Sequence, residues 1–522
     1  MPLFLGLDIG TSATKAVVMD DAGRTRATAA AEYPLVQPRP GWIEQHPQDW
    51  WQAVRSTLHA LNATVSLGDV TAIGLSGQMH GSGFLDEASL RDGGREGRVL
   101  RPALLWNDQR TAAECDEIER AVGGRRRLVE LVGNAALPGF TLPKILWLRR
   151  HEPETFARVA RVLMPKDYIR WRLTGEAMTD VGDASGTLLF DPARRAWSNE
   201  VASAVDVDLR LVPPALESRA IAGHVTEFAA LATGLTVGTP VIAGSGDNMM
   251  GAIGAGIVRE GDVVVTLGTS GVIYAHSSVH RPDVPDQGRS EGNAALPGRT
   301  HAMCSATGAD AWCITGCMLS AGGALHWCRE AMFPGATYDE LLAEAAVTPI
   351  GAEGLLFLPH LTGERCPHPD PSARGAWVGL TARHTRGHLV RALVEGVTFT
   401  LGQILDIMRS QGLGPTHVRL GGGGARSPFW RQLCADVFAL PVVTTTADEG
   451  PAFGAAILAA TAVGQWPDVA IACDATIDIA ETREPDPSAA RLYGELRCVH
   501  GELHHQLRPT TAVLSEFASR PK

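Results

Sequence analysis

The tripeptide Gly-Thr-Ser occurs twice, at Gly10 to Ser12 and at Gly268 to Ser270, each time between two apolar strand-type runs about half a chain apart. A glycine-punctuated turn between strands leaves backbone N–H groups pointing into a concavity beside a hydroxyl, which suits a phosphate. One such turn is ordinary hairpin punctuation. Two with matching flanks point to related halves that hold one polyphosphate between them. The copies differ at one telling place, because Asp8 lies two residues before the first glycine and Thr266 two before the second.

A chain of 522 residues exceeds what one hydrophobic core fills, so two domains are expected. The net charge of −11 argues against a nucleic-acid partner, and a polyphosphate would have to be met locally by metal, backbone N–H groups and a few side chains. MPLFLGLDIG has no basic leader and too short an apolar run for a secretory segment, and Ala452 to Val463 is too short to span a bilayer. A cytoplasmic protein without membrane contact is expected. Nine cysteines show no paired spacing except Cys313 and Cys317, which reads as reduced core thiols. His500, His504 and His505 lack a cysteine or carboxylate pattern to complete a metal site, so a solvated helix face is expected there.

Residues 3 to 33 read as three strands, with turns at Gly10 to Ser12 and Asp21 to Gly23. Pro47 opens a helix through Trp50 and Trp51. VTAIGLSG is a buried strand that ends before Gln78, Met79 and His80. RPALLWNDQR repeats that design, with Leu104 and Leu105 in a strand and Asn107, Asp108 and Arg110 beyond its end, where open α/β sheets concentrate chemistry. Thr111 to Gly175 is mainly helical, and TPVIAGSGD is a further buried strand carrying Asp247 at its end. NMMGAIGAGIV lacks the character of a flexible tether and reads as a tightly packed crossing between domains. The second half restarts with strand, Gly-Thr-Ser, strand, and continues with a helix from about Thr385 to Gln411, the strand VRLG with its glycine run, and the small-residue helix FGAAILAATAV. The division is residues 1–248, residues 249–485 and a helical extension over 486–522.

The ordinary P-loop is excluded, because the chain has only four lysines (Lys15, Lys144, Lys166, Lys522) and none follows glycine. Gly421 to Gly424 fails the dinucleotide fingerprint at its last glycine, where Arg426 or Ser427 stands, and protein-kinase signatures are missing. A divided scheme remains, with Asp8 at one turn, Gly268 to Ser270 at another, and Gly421 to Gly424 as a backbone platform for adenine or ribose. GLDIGTSATK, PGWIEQHPQDWW, GLSGQMHG, WNDQR, GFTLPKILWL, MPKDYIRWRLTG, AGSGDNMMGAIGAG, TLGTSG, LTGERCPHPDPSARGAWVGL and GGGARSPFWRQLCADVF, in this order from about residue 5 to 460, resemble the FGGY carbohydrate kinases of the actin-like ATPase superfamily. The resemblance implies an α/β fold of two ribonuclease H-like domains flanking a catalytic cleft, and ATP- and Mg²⁺-dependent phosphorylation of D-xylulose at its terminal hydroxyl. The alternatives are a relative acting on ribulose, glycerol or a deoxy-ketose, and a non-kinase ATPase clamp. A homodimer is compatible with the sequence.

Phosphoryl transfer to an alcohol needs an in-line hydroxyl, a proton acceptor and positive charge on the phosphate oxygens. Asp247 in SGDN can be that acceptor or merely cap the following helix, and the resemblance assigns it the role of base, with Asn248 beside it on a sugar hydroxyl. At an ordinary carboxylate pKa of about 3.9 it would be ionised at neutral pH. Asp8 fits either an Asx-turn or a Mg²⁺ contact, and the family match favours metal. Thr11, Ser12 and Lys15 are the phosphate contacts of the first turn, with a solvent-facing Lys15 as the alternative. Gly268 and Thr269 serve the second turn, and Gly322 and Gly422, Gly423 and Gly424 resemble adenosine-binding positions. Gln78, Met79 and His80 are the sugar candidates, because the Met-His pair contacts the ketopentose in similar proteins. Asp108 is a second candidate, and Trp106 either stacks on the sugar or belongs to the core. Glu364 and Arg365 look family-typical and carry no assigned role.

Overall fold

The computed structural model describes residues 1–285, 296–446 and 450–518. Strands β1 (Leu3–Ile9), β2 (Ala13–Asp20) and β3 (Thr25–Glu32) form an antiparallel meander, and β4 (Val70–Gly77) lies parallel to the free side of β1. β1 and β4 are buried along nearly their whole length, as strands covered on both faces must be, whereas β3 alternates exposed and half-buried residues at the sheet edge. Beyond β4 come β6 (Pro240–Ile242), parallel, and β5 (Ile221–His224), antiparallel to β6, with the short β7 (Ser245–Gly246) also paired to β4.

The second sheet runs β10 (His301–Cys304), β11 (Trp312–Met318), β9 (Gly271–Ser277), β8 (Val263–Leu267), β12 (Val418–Gly421), β13 (Val442–Thr445), β14 (Ile479–Arg483). From β14 to β11 it repeats the first sheet from β5 to β3, strand for strand and in the same parallel or antiparallel sense. The duplication implied by the repeated tripeptide is therefore a duplication of sheet topology, and the architecture is the expected two-sheet α/β arrangement.

Eight helices position the site: α1 (Pro47–Asn62), α2 (Thr141–His151), α3 (Pro165–Thr174), α4 (Asp247–Gly254), α5 (Gly322–Met332), α6 (Arg386–Ser410), α7 (Gly450–Ala462) and α8 (Pro487–Ala518). Helix α7 is buried from Ala452 to Thr461 and lies directly on β1 and β4. An added Cβ would stand 1.8 Å from the Ala452 carbonyl oxygen at Gly6 and 1.9 Å from that of Ala455 at Gly74, so only glycine permits this approach. The expected crossing NMMGAIGAGIV is largely helix α4, which packs on α7 so closely that a Cβ on Gly454 would lie 1.9 Å from the Met250 carbonyl oxygen.

Two expectations need correction. Leu105 is outside the strand Ala103–Leu104, which pairs with Glu44–Gln45 in a separate two-stranded ribbon and never joins the main sheet. Pro102 precedes it and the Leu105 carbonyl turns to accept the Asp108 N–H at 3.3 Å, leaving too short a run to enter the sheet. The histidines of α8 are not a solvated face, because α8 packs against α6 and the strand Leu356–Leu358. His500 and His504 are only 2% and 6% exposed, and His505 alone is on the surface. Neutral imidazole serves as a packing group there: His500 Nε2 donates to the Phe357 carbonyl oxygen at 3.0 Å, and His504 stacks on His368 at 4.1 Å. Among the described residues no cluster of three or more His, Cys, Asp or Glu could hold a metal ion, and no helix is long and apolar enough to cross a membrane. Of the nine cysteines, only Cys498 is exposed.

Candidate active site

The β1–β2 hairpin builds the first turn. Its register sets Asp8 opposite Lys15, and the turn is closed by the Gly10 N–H on the Ala13 carbonyl at 3.0 Å. Asp8 Oδ1 accepts from Ser76 Oγ at 2.7 Å, and Oδ2 has no hydrogen-bond partner among the described residues. Burial raises this carboxyl to about 6, against the opposing pull of Ser76 and Lys15. Thr11 Oγ1 accepts from Trp106 Nε1 at 3.0 Å. Trp106 is 37% exposed, so it belongs to the rim of this turn and not to the core. Ser12 and Lys15 are exposed beside it.

The second turn has the same hairpin but a different backing. Thr266, in the place of Asp8, is exposed. The N–H groups of Gly322 and Gly323, at the start of α5, donate to the carbonyls of Gly268 and Thr269 at 2.8 and 3.0 Å. A Cβ on Gly322 would sit 2.6 Å from the Gly268 oxygen, and Gly422, at φ 82°, lies equally close to that of Leu267. Gly268, Thr269, Gly322, Gly423 and Gly424 line one cavity of about 1170 Å³, with Leu325, Leu342 and Phe429 supplying apolar walls. Gly422 stands at its edge.

Asp247 begins α4 directly after β7, and the N-cap position belongs to Gly246, with no side-chain capping bond. The capping alternative is thereby corrected. Gly246 is required, because a Cβ there would meet Met79 Cγ at 2.4 Å and Asp183 Oδ1 at 3.0 Å. Asp247 is half-buried, and its proton affinity is pushed up to about 8 by burial, then by the charges of Asp8 and Asp183, with the Asn248 N–H opposing. The expected ordinary carboxylate is corrected too. A carboxyl poised near the working pH is a stronger proton acceptor than one near 4.

The strand β4 delivers the Gln-Met-His motif to the same place. Gln78 is buried with Nε2 on Gln45 Oε1 at 3.0 Å, and its own Oε1 is unpaired. Met79 is buried, and its sulfur accepts from Nδ2 of the exposed Asn248 at 3.6 Å. His80 adopts φ 66°, and its Nδ1 lies 2.9 Å from the Gly186 carbonyl oxygen. A carbonyl only accepts, so the proton is on Nδ1 and Nε2 is left as an acceptor. Burial, then Lys144, lowers the imidazole to about 3 and keeps it neutral. Asp108 does not join the group, because it has no exposed surface and its carboxylate accepts from the Ile43 N–H at 2.6 Å and from Arg110 at 2.7 Å. It braces the loop that carries Trp106.

Family models for the FGGY carbohydrate kinases match this chain at residues 3–254 for the N-terminal domain and 263–463 for the C-terminal domain. The chain belongs to the FGGY family of carbohydrate kinases. A xylulose kinase of Escherichia coli (strain K12) is 38% identical over 98% of this chain and 100% of its own. The crystal structure of xylulose kinase from Rhodospirillum rubrum superposes with a TM-score of 0.87 at 31% identity, over 98% of this chain and 99% of that one. A gluconate kinase from Lactobacillus acidophilus gives a TM-score of 0.89 at 26% identity, covering 99% of both. As a carbohydrate kinase of this family, the protein uses ATP as phosphoryl donor.

Sequence reasoning missed the charged groups beneath this FGGY site. Lys166 on α3 is fully buried, with Nζ 2.6 Å from Asp167, 2.8 Å from Asp180 and 2.9 Å from Asp183. Asp180 in turn accepts from Ser245 Oγ at 2.7 Å, immediately before Gly246 and Asp247. Lys144 on α2 donates to the His80 and Gly139 carbonyls, both at 2.7 Å, and so fixes the left-handed residue of the sugar motif. A signal was available: two of only four lysines stand in apolar helical strings, where a charge survives only if partnered.

Proposed function

We propose that the protein transfers the γ-phosphoryl group of ATP to the terminal hydroxyl of D-xylulose, giving D-xylulose 5-phosphate and ADP. The observation that carries this reading is the meeting of Asp247, raised to about 8, with the acceptor nitrogen of His80 and the amide of Asn248 at the ends of neighbouring strands. Asp247 takes the hydroxyl proton as the oxygen attacks, His80 Nε2 and Asn248 hold hydroxyls of the sugar chain, and the hydrocarbon side of Met79 packs against it. The N–H groups of both turns, with Thr11, Ser12, Lys15 and Thr269, hold the phosphates, and the cavity behind Gly268 and Gly423 takes the adenosine. Xylulose kinases among the relatives support a ketopentose acceptor.

The free Oδ2 of Asp8 fits a hydrated Mg²⁺, which when bound would offset charge on the β and γ phosphates. A single carboxylate suffices, because this ion keeps several waters and phosphate oxygens. We place the reaction in the cytoplasm, where ATP is supplied. The test is ADP release with ATP and Mg²⁺ against D-xylulose, D-ribulose, glycerol, D-gluconate and no sugar. Stimulation by D-xylulose above the others supports the reading. Preference for another acceptor replaces the sugar, and equal release without sugar overturns the kinase.

A further inference from the structure

We propose that Arg365, on the loop that follows the strand Leu356–Leu358, reaches across the cleft and donates hydrogen bonds to the end of the sugar remote from Asp247, reading the carbonyl of a ketose. The proposal rests on the ketopentose reading above and names a specificity residue for it.

The loop is built to hold this side chain still. Glu364 and Asp370 form an isolated antiparallel bridge with both N–H···O distances at 2.9 Å. The Glu364 carboxylate accepts from the Leu319 N–H at 3.0 Å and from the Arg365 N–H at 2.7 Å, and its other oxygen lies 3.2 Å from His360 Nδ1. The nearest carboxylate in sequence is thus spent on backbone and on His360, not on the guanidinium. Arg365 is half-buried, and its guanidinium has no hydrogen bond, ion pair or ring contact among the described residues. Five donors in a fixed fork, with no acceptor on the protein, leave a site that a ligand oxygen can fill.

Its surroundings identify which part of the ligand. The Arg365 charge acts on His301 more strongly than any group but burial itself, and it acts on His80 and on Cys317 of β11. His301 stands edge-on to Phe140 at 5.5 Å, and Phe140 edge-on to His80 at 4.6 Å, so the guanidinium faces one continuous wall of the sugar motif. The charges acting on Asp247 and Asp8 are instead Asp8, Asp183 and Lys15. With the reacting hydroxyl at Asp247 and the middle of the chain at His80, the far end of the sugar comes to Arg365. In a 2-ketopentose that end bears a carbonyl, an acceptor-only group that complements a donor-only fork. A polyol of the same length offers a hydroxyl instead, and a three-carbon acceptor does not extend that far.

Arg365→Met and Arg365→Lys would be assayed with D-xylulose, xylitol and D-gluconate at saturating ATP and Mg²⁺. The expected result is a rise of at least tenfold in the KM for D-xylulose in Arg365→Met, a smaller rise in Arg365→Lys, and a KM for ATP within twofold. The preference for D-xylulose over xylitol should fall by a similar factor. An unchanged D-xylulose KM, an unchanged preference, or a rise confined to ATP would overturn the proposal. Wild-type preference for D-gluconate, lost in Arg365→Met, would assign the fork to a carboxylate and overturn the ketose reading. If the wild type accepts a different ketose, the substrate reading fails alone and the same comparison is made with that ketose. A crystal structure of the unmutated protein with its sugar decides independently of variant folding: a guanidinium nitrogen about 3 Å from the ketose oxygens supports the contact, and separation beyond about 4 Å removes it.

Discussion

The two halves share a sheet and divide the work. After β1 the first turn carries a buried carboxylate with a free oxygen, and after β8 the second turn carries an exposed threonine and is braced from behind by the start of α5. The next equivalent strands diverge in the same way, for β4 runs into Gln78, Met79 and His80 whereas β12 runs into Gly421 to Gly424. Identical strand ends therefore present side-chain chemistry on one side and bare backbone on the other. Topology fixes where a ligand is met, and a few residues past each strand fix what is done to it.

That inequality can be broken at its strongest point first. Asp247→Asn should lower turnover by about 10³-fold with nucleotide affinity unchanged, measured by ADP release and calorimetry. Residual turnover above a tenth of normal would place the base elsewhere. Next, Asp8→Asn should cost on the order of a hundredfold and raise the Mg²⁺ requirement, while Thr266→Ala should cost less than about threefold. Equal losses would abolish the distinction between the turns.

The pH profile sharpens the same comparison. Asp247 must be ionised to accept a proton and is raised from 3.8 to about 8, so kcat/KM should climb from pH 6 and level off above about 8. The folded state holds this proton more firmly than the unfolded chain, so the group lowers stability as pH rises between those two values. Asp247→Asn should accordingly melt at a higher temperature than the wild type at pH 8, with the gap closing near pH 4. The smallest expected effect is structural. Gly74→Ala, beneath α7, should destabilise by about 1–3 kcal/mol in chemical denaturation, and Gly421→Ala, with nothing within 4 Å of its Cβ, by less than about 0.5 kcal/mol.

Much of this was legible in the residues. Alternation, turn glycines and Pro47 located β1, β2, β3 and α1, because those signals are local. The repeated tripeptide announced two sheets of one design. What stayed hidden depends on contacts between distant segments: Lys166 meets Asp180 and Asp183, and Asp108 meets Ile43, through folding alone. The proton affinity of Asp247 is likewise a property of its burial and of two carboxylates far away in sequence. His500 and His504 misled for a related reason, since a neutral histidine with a carbonyl partner packs like an aromatic ring and composition does not reveal that partner.

Helices α4 and α7 follow equivalent strands, β6 with β7 in one half and β13 in the other, and they meet with glycine against backbone. Such a contact has no interlocking side chains to resist rotation, and no slack to let the surfaces approach further. Any swing that brings Gly268 to Ser270 nearer to Gly10 to Ser12 must turn on this seam, as a door turns on its pin. Adding a single methyl group there would stiffen or shift the swing while leaving every group that touches ATP or sugar in place.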